Sequence, residues 1–78
     1  MNRIALIGVI VEDYSSVIKL NEFLHEYRDY IIGRQGIPYK ARTLNIISIA
    51  LDAPLDTINA LNGKLGSLKG VSSKCIIQ

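Results

Sequence analysis

The sequence has few of the residues that build metal centres, disulfide frameworks and nucleophilic active sites. Its 78 residues include one cysteine, one histidine and no tryptophan. A lone cysteine cannot form a disulfide within the chain, which favours a reducing, cytoplasmic location. A lone histidine leaves little from which to build a nucleophile, a base and an orienting group. We therefore expect no enzymatic activity and no bound cofactor.

Long hydrophobic runs and clusters of one charge are also missing. The apolar run at residues 4–11 is far shorter than the roughly 20 residues of a membrane-spanning helix. Glu12 and Asp13 end this run without a signal-peptide cleavage site, so we expect no membrane association. The net charge is only +2, and the basic residues form no cluster of the kind that binds nucleic acid nonspecifically.

Apolar residues are abundant instead. The chain is 49% hydrophobic and 21% charged, a composition that excludes disorder. A chain of 78 residues has room for one hydrophobic core. We predict a single domain over residues 1–78, with more apolar surface than so small a domain easily buries.

The spacing of apolar residues predicts the element order βαββαβ. Two helices have apolar stripes at intervals of three and four residues, at Val17, Leu20, Leu24 and Tyr27 and at Leu55, Ile58, Leu61 and Leu65. The strands are predicted at residues 4–11, 30–32, 44–51 and 71–77. This order is typical of an α+β, ferredoxin-like sandwich with a four-stranded antiparallel sheet and both helices on one face. Strands one and three have apolar residues pointing to both faces of the sheet, as is typical of central strands.

The same two strands predict self-association. With both helices on one face of the sheet, four to six aliphatic side chains are expected on the open face. Each gains roughly 1.5 to 3 kcal/mol on full burial, and their sum is comparable with the cost of association, about 4 to 15 kcal/mol. We expect a dimer or tetramer formed through the open face. The alternative is a monomer that tolerates an exposed apolar patch.

The segment 33–42 is predicted to be a hairpin connection, because it contains the turn-forming residues Gly36 and Pro38. Basic side chains surround these turn residues, and such a loop can hold an anion or an acidic partner. The alternative is a solvated loop in which the glycines only shape turns. The candidate ligand- or partner-binding residues are Arg34, Gly36, Tyr39, Lys40 and Arg42.

The histidine and the cysteine have simple structural interpretations. Glu22 and His25 are three residues apart, a spacing that metal sites in helical bundles use. The motif occurs once and has no second histidine to complete it, so a solvated helix face is the favoured interpretation. Cys75 is interpreted as a small, buried residue near a strand end. We therefore expect no metal site.

Three strings resemble the iron-only hydrogenase system regulator family, at residues 4–13, 30–39 and 63–74. The most specific part is the string Gly-Arg-x-Gly-Ile-Pro-Tyr that begins at Gly33. The resemblance spans essentially the whole chain. It implies an ACT-like domain, similar to the C-terminal regulatory domain of the nickel-responsive repressor. It also implies a role as a transcriptional or system regulator.

The resemblance to the nickel-responsive repressor is incomplete. His25 and Cys75 do not reproduce that repressor's ligand set, and no residues before the first strand supply its DNA-binding arm. We therefore expect neither nickel sensing nor direct DNA binding. Residues 12–16 also lack the glycine that often follows the first strand in amino-acid-binding ACT domains. The favoured hypothesis is an oligomeric module that senses a ligand or binds a protein. The alternatives are a regulator that binds DNA through basic loops, and a scaffold or assembly factor in hydrogenase maturation.

Overall fold

The computed structural model describes residues 1–78, and its elements follow the predicted order. The strands are β1 (Asn2–Val11), β2 (Ile31–Tyr39), β3 (Leu44–Pro54) and β4 (Val71–Ile77), and the helices are α1 (Val17–Glu26) and α2 (Leu55–Gly66). Short 3₁₀ turns lie at Tyr14–Ser16, Arg28–Tyr30 and Lys40–Arg42. Neither helix is long and apolar enough to cross a membrane.

The four strands form one antiparallel sheet in the order β2-β3-β1-β4. The central strand β1 pairs with β3 along its whole length, from Asn2 opposite Pro54 to Val11 opposite Asn45. The two strands with apolar runs therefore occupy the centre of the sheet. The predicted ferredoxin-like fold is confirmed.

A single core lies between the sheet and the two helices. Alternate residues of β1 and β3 are buried because successive side chains of a strand point to opposite faces. Leu20 and Leu24 of α1 pack against them, together with three buried residues of α2. The buried strand residues are Ala5, Ile7, Val9 and Val11 of β1, Ile47, Ile49, Leu51 and Ala53 of β3, and Val71 of β4. The helices thus cover one face of the sheet and leave the other open.

The structure corrects the predicted hairpin loop at residues 33–42. That prediction is wrong, because β2 continues to Tyr39 and only a short turn connects it to β3. β2 is an edge strand that pairs with β3 alone, so it can include Pro38, which lacks a backbone N–H. The 11 residues of β3 also offer a long row of backbone partners. Between Ile31 and Gly33, β2 has one residue more than the segment of β3 that it pairs with, and a bulge in β2 accommodates this residue.

Candidate functional site

The open face of the sheet is a candidate interaction surface. It consists of the residues of β1, β3 and β4 that alternate with the residues facing the core, and of the β2 residues that pair with them. Six large aliphatic side chains on this face are between 37% and 71% exposed, namely Ile4, Leu6, Ile10, Ile37, Ile46 and Ile76. The estimate of the association energy from the sequence supposed four to six such side chains.

Strand register brings these side chains into rows. Ile46 of β3 lies opposite Ile10 of β1 and opposite Ile37 of β2. Leu6 of β1 lies opposite Ile76 of β4. Directly opposed residues in an antiparallel sheet have Cβ atoms about 4.5 to 5.5 Å apart, so each row is a continuous apolar strip.

Between the two apolar rows lies a row of small and polar residues. Gly8 stands opposite Ser48 on one side and Lys74 on the other, and Ser48 in turn stands opposite Gln35. No atom lies within 4 Å of the position that a Cβ of Gly8 would take. The open face therefore has a shallow depression across its middle, with an apolar strip on each side.

The candidate binding residues Tyr39 and Lys40 lie together at one end of the sheet. They line a cavity of about 330 Å³ that also includes Tyr14, from the turn after β1. Tyr14 is 73% exposed, and the sequence patterns did not single it out. Its contribution depends on how the end of β1 approaches the end of β2, which local spacing does not reveal.

Arg34, Gly36 and Arg42 do not join that cavity. Arg34 and Gly36 lie on the helix side of β2, because they pair with the buried residues Ile49 and Ile47 of β3. Arg42 is exposed in the turn after β2. The five predicted residues therefore form two groups. Arg34 and Gly36 line a second cavity, of about 240 Å³, together with Tyr14, whereas Tyr39, Lys40 and Arg42 lie at the end of β2 and in the turn that follows it.

His25 and Glu22 have different surroundings, although they are three residues apart on α1. The carboxylate of Glu22 forms an ion pair with Lys19, at 3.7 Å between Nζ and Oε1. His25 lines a cavity together with Arg28 and Arg34. Two neighbouring guanidinium groups make this an unfavourable place for a metal cation.

Cys75 is partly buried on the helix side of β4, opposite Ile7 of β1. Burial raises the pKa of its thiol, because an apolar environment disfavours the thiolate. No group of three or more histidine, cysteine, aspartate or glutamate side chains is placed to hold a metal ion.

Comparison with known proteins connects this fold to a family. Residues 3–75 match the model of the TM1266-like family, described as "Iron-only hydrogenase system regulator, putative". The solved structure of protein TM1266 from Thermotoga maritima has a TM-score of 0.95 and 32% sequence identity to this chain. The similarity covers 99% of this chain and 98% of that protein.

More distant structures share the fold alone. The C-terminal domain of MgtC from Mycobacterium tuberculosis has a TM-score of 0.76 at 10% identity, covering 99% of this chain and 88% of that one. A formyltetrahydrofolate deformylase from Pseudomonas putida KT2440 has a TM-score of 0.67 at 11% identity. The similarity covers 94% of this chain and 28% of the deformylase. No curated protein sequence matches the chain.

The family model covers nearly the whole chain, and TM1266 shares its full length at an identity that indicates common descent. The resemblance seen in the sequence strings is confirmed. The chain belongs to the TM1266-like family of iron-only hydrogenase system regulators.

Proposed function

We propose that this chain is a non-enzymatic, cytoplasmic regulatory module of an iron-only hydrogenase system, and that it acts as an assembly of identical copies. The observation that carries the proposal is the open face of the sheet, with its two apolar strips. Family membership supports the connection to a hydrogenase system. The apolar face supports self-association, because contiguous apolar patches on small proteins mark interaction sites.

The size of the open face suits a face-to-face dimer. Four strands about 4.8 Å apart, paired over about eight residues at roughly 3.3 Å each, make a face of about 500 Å². Two copies packed through this face bury roughly 1,000 Å² in flat projection, which is near the lower limit for a specific interface. The side chains project from this plane, so the accessible area that is buried exceeds the projected area.

The free energy gained by burying the apolar side chains in such a dimer is similar to the free-energy cost of association. The six aliphatic side chains are already about half covered, so each gains roughly 1 kcal/mol on further burial. Two copies together gain about 12 kcal/mol, against an association cost of about 4 to 15 kcal/mol. Assembly of this kind depends on protein concentration. A ligand or protein that binds only the assembled form shifts the equilibrium towards it, and this is how the module would sense a signal.

Charge placement supports an indirect effect on transcription. Lys40 and Arg42 share the short turn after β2, whereas Arg34 lies on the helix side of that strand, and the net charge of the chain is only +2. DNA binding relies on several cationic side chains that follow the phosphate backbone together. The proposed module therefore reaches a promoter through a protein partner, and not through its own contacts with DNA.

Self-association is tested by light scattering on the wild type and on two charged variants of the open face, Leu6→Lys and Ile46→Lys. We expect the wild type to have a mass above that of one chain at micromolar concentration, and both variants to have the mass of one chain. The matched control is Ile18→Lys, because Ile18 is 75% exposed on α1 and lies outside the open face. Circular dichroism verifies that all variants are folded.

A wild type that stays monomeric, or a control that dissociates as readily as the two variants, contradicts the proposed interface. The connection to the hydrogenase is tested separately in the host. Deletion of the gene should change hydrogenase transcript levels, Leu6→Lys should reproduce the deletion, and Ile18→Lys should behave as wild type. Unchanged transcript levels after deletion contradict the regulatory role.

A further inference from the structure

A cavity of about 430 Å³ lies between α1 and the edge strand β2. It is on the helix side of the sheet, because Ile31 and Arg34 pair with the buried residues Leu51 and Ile49. The lining residues are Asn21, Leu24, His25, Arg28, Ile31 and Arg34. The first four are spaced i, i+3, i+4 and i+7, so they form one stripe on α1 and the turn that follows it.

The walls of this cavity carry basic and amide groups, and each of the two arginines donates one hydrogen bond there. Nη1 of Arg28 donates to the backbone carbonyl of His25 at 2.9 Å. Nη2 of Arg34 donates to Oδ1 of Asn21 at 3.4 Å. No carboxylate lies among the lining residues. Neither arginine takes part in an ion pair, so the remaining N–H groups are free to donate.

Two acidic residues of α1 are engaged on its other flank. Glu22 pairs with Lys19, and Glu26 pairs with Lys64 of α2 at 3.3 Å. Lys64 also stands 5.6 Å from the ring centre of Phe23. The flank of α1 that faces α2 is therefore mixed in charge, while the flank that faces β2 is basic. Such a division concentrates positive potential at the cavity.

The end of α1 would by itself disfavour an anion, because the free carbonyls at a helix C-terminus carry partial negative charge. Arg28 counters this effect, since its guanidinium covers the carbonyl oxygen of His25. The guanidinium group of Arg34 extends from β2 and reaches Asn21 of α1. Two guanidinium groups around one opening are the arrangement that binds planar or tetrahedral oxyanions by paired hydrogen bonds.

We propose that this cavity binds a small molecule through a phosphate or carboxylate group. Arg34 and Arg28 hold the oxyanion, and the buried Leu24 and half-buried Ile31 form the apolar floor under the rest of the ligand. The volume is in the range of small-molecule sites, about 300 to 1,000 Å³. The site is separate from the open face, so it does not depend on self-association.

The test is a titration followed by NMR of the ¹⁵N-labelled wild-type chain with inorganic phosphate and, separately, with acetate. Sodium chloride keeps the ionic strength constant. We expect saturable shifts of amide signals within residues 21–28 and 31–34. Stronger binding of phosphate identifies a phosphorylated ligand, and stronger binding of acetate identifies a carboxylate.

Variants distinguish a built site from general attraction of anions. Arg34→Ala and Arg28→Ala should each raise the dissociation constant about tenfold or more, because each loses charge-assisted hydrogen bonds. The matched control is Arg42→Ala, which removes the same charge from the exposed turn after β2 and should change binding by less than about twofold. Arg34→Lys keeps the charge but loses the fork of donors, and it should bind more weakly than the wild type.

The proposal is overturned if neither anion gives saturable shifts in these segments. It is also overturned if Arg42→Ala weakens binding as much as Arg34→Ala, because binding would then reflect net charge alone. Light scattering on Arg34→Ala should give the same mass as the wild type. This measurement separates a failure of the anion site from a failure of self-association.

Discussion

Replacement of Gly70 by alanine should destabilise the protein severely. Gly70 precedes β4 and has a φ of +69°, in the left-handed region that disfavours side chains. Its carbonyl accepts a hydrogen bond from the backbone N–H of Glu12 at 2.7 Å. A Cβ at this position would lie 2.5 Å from the Cβ of Asp13 and 2.8 Å from its backbone nitrogen. The chain after β1 thus packs directly against a position where a side chain does not fit.

Two terms set the magnitude of this loss. A left-handed conformation costs a residue with a side chain roughly 1 to 2 kcal/mol. Overpacking against backbone that must move costs about 1 to 3 kcal/mol more. The total, about 2 to 5 kcal/mol, is a large part of the roughly 4 to 12 kcal/mol of stability expected for a domain of this size.

A second glycine provides a matched control, because its replacement by alanine is expected to change the stability in the opposite direction. Gly63 lies within α2, and no atom lies within 4 Å of its missing Cβ. Alanine is favoured over glycine inside a helix by about 0.8 to 1 kcal/mol, so Gly63→Ala should stabilise the protein. The same chemical change therefore has opposite effects at two positions only seven residues apart in the sequence.

The assay is urea unfolding followed by circular dichroism, at one protein concentration because assembly itself contributes to stability. The midpoint should fall for Gly70→Ala and rise for Gly63→Ala, with similar slopes. Gly70→Asn tests the two terms separately, since asparagine tolerates the left-handed conformation but still meets Asp13. The urea midpoint of Gly70→Asn should lie between those of the wild type and Gly70→Ala. A Gly70→Ala variant within about 0.5 kcal/mol of the wild type would refute the reasoning, since that is the range of neutral surface substitutions.

Three further predictions concern titratable groups. Hydrogen bonds from Ser15 lower the pKa of the Asp13 carboxyl in the folded chain below its ordinary value of 3.8. The ionised carboxylate therefore stabilises the fold at pH values above 3.8, and this contribution is lost as the pH falls through the lower pKa of the folded state. Asp13→Asn should therefore lessen the loss of stability below about pH 4 in urea unfolding series, and an unchanged pH dependence contradicts this. Burial raises the pKa of Cys75, so a thiol reagent should react more slowly with the folded chain than with the chain unfolded in urea at the same pH; equal rates contradict this. Lys64→Met should lower the urea midpoint relative to Lys64→Arg, because only arginine keeps a cation over the rings of Tyr27 and Phe23 and beside Glu26; equal midpoints would mean that these contacts together contribute nothing.

The success and the failure of sequence reasoning are both visible in the sheet. β1 and β3 could be assigned to the centre of the sheet because each is one continuous apolar run in the sequence. Such a run is expected of a strand that helices cover on one face and that is also apolar on the other face. The end of β2 could not be assigned, because Gly33, Gly36 and Pro38 are local turn signals. Pairing with the long strand β3 overrides these signals at the edge of the sheet. The prediction of a loop at residues 33–42 was therefore wrong, and the candidate binding residues lie along a strand and the turn that follows it.

The sequence by itself determined the order of elements, the central strands and the apolar open face, because periodicity and composition are properties of the chain alone. The resemblance of three sequence strings indicated the family. Only the tertiary structure decided which charged residues meet. Arg34 joins His25 and Arg28 because the chain crossing from β1 to β2 packs α1 beside the edge strand. Glu22 is turned to the other flank of the same helix, where Lys19 neutralises it. Contacts between residues of different elements depend on packing, and spacing within one element carries no information about them.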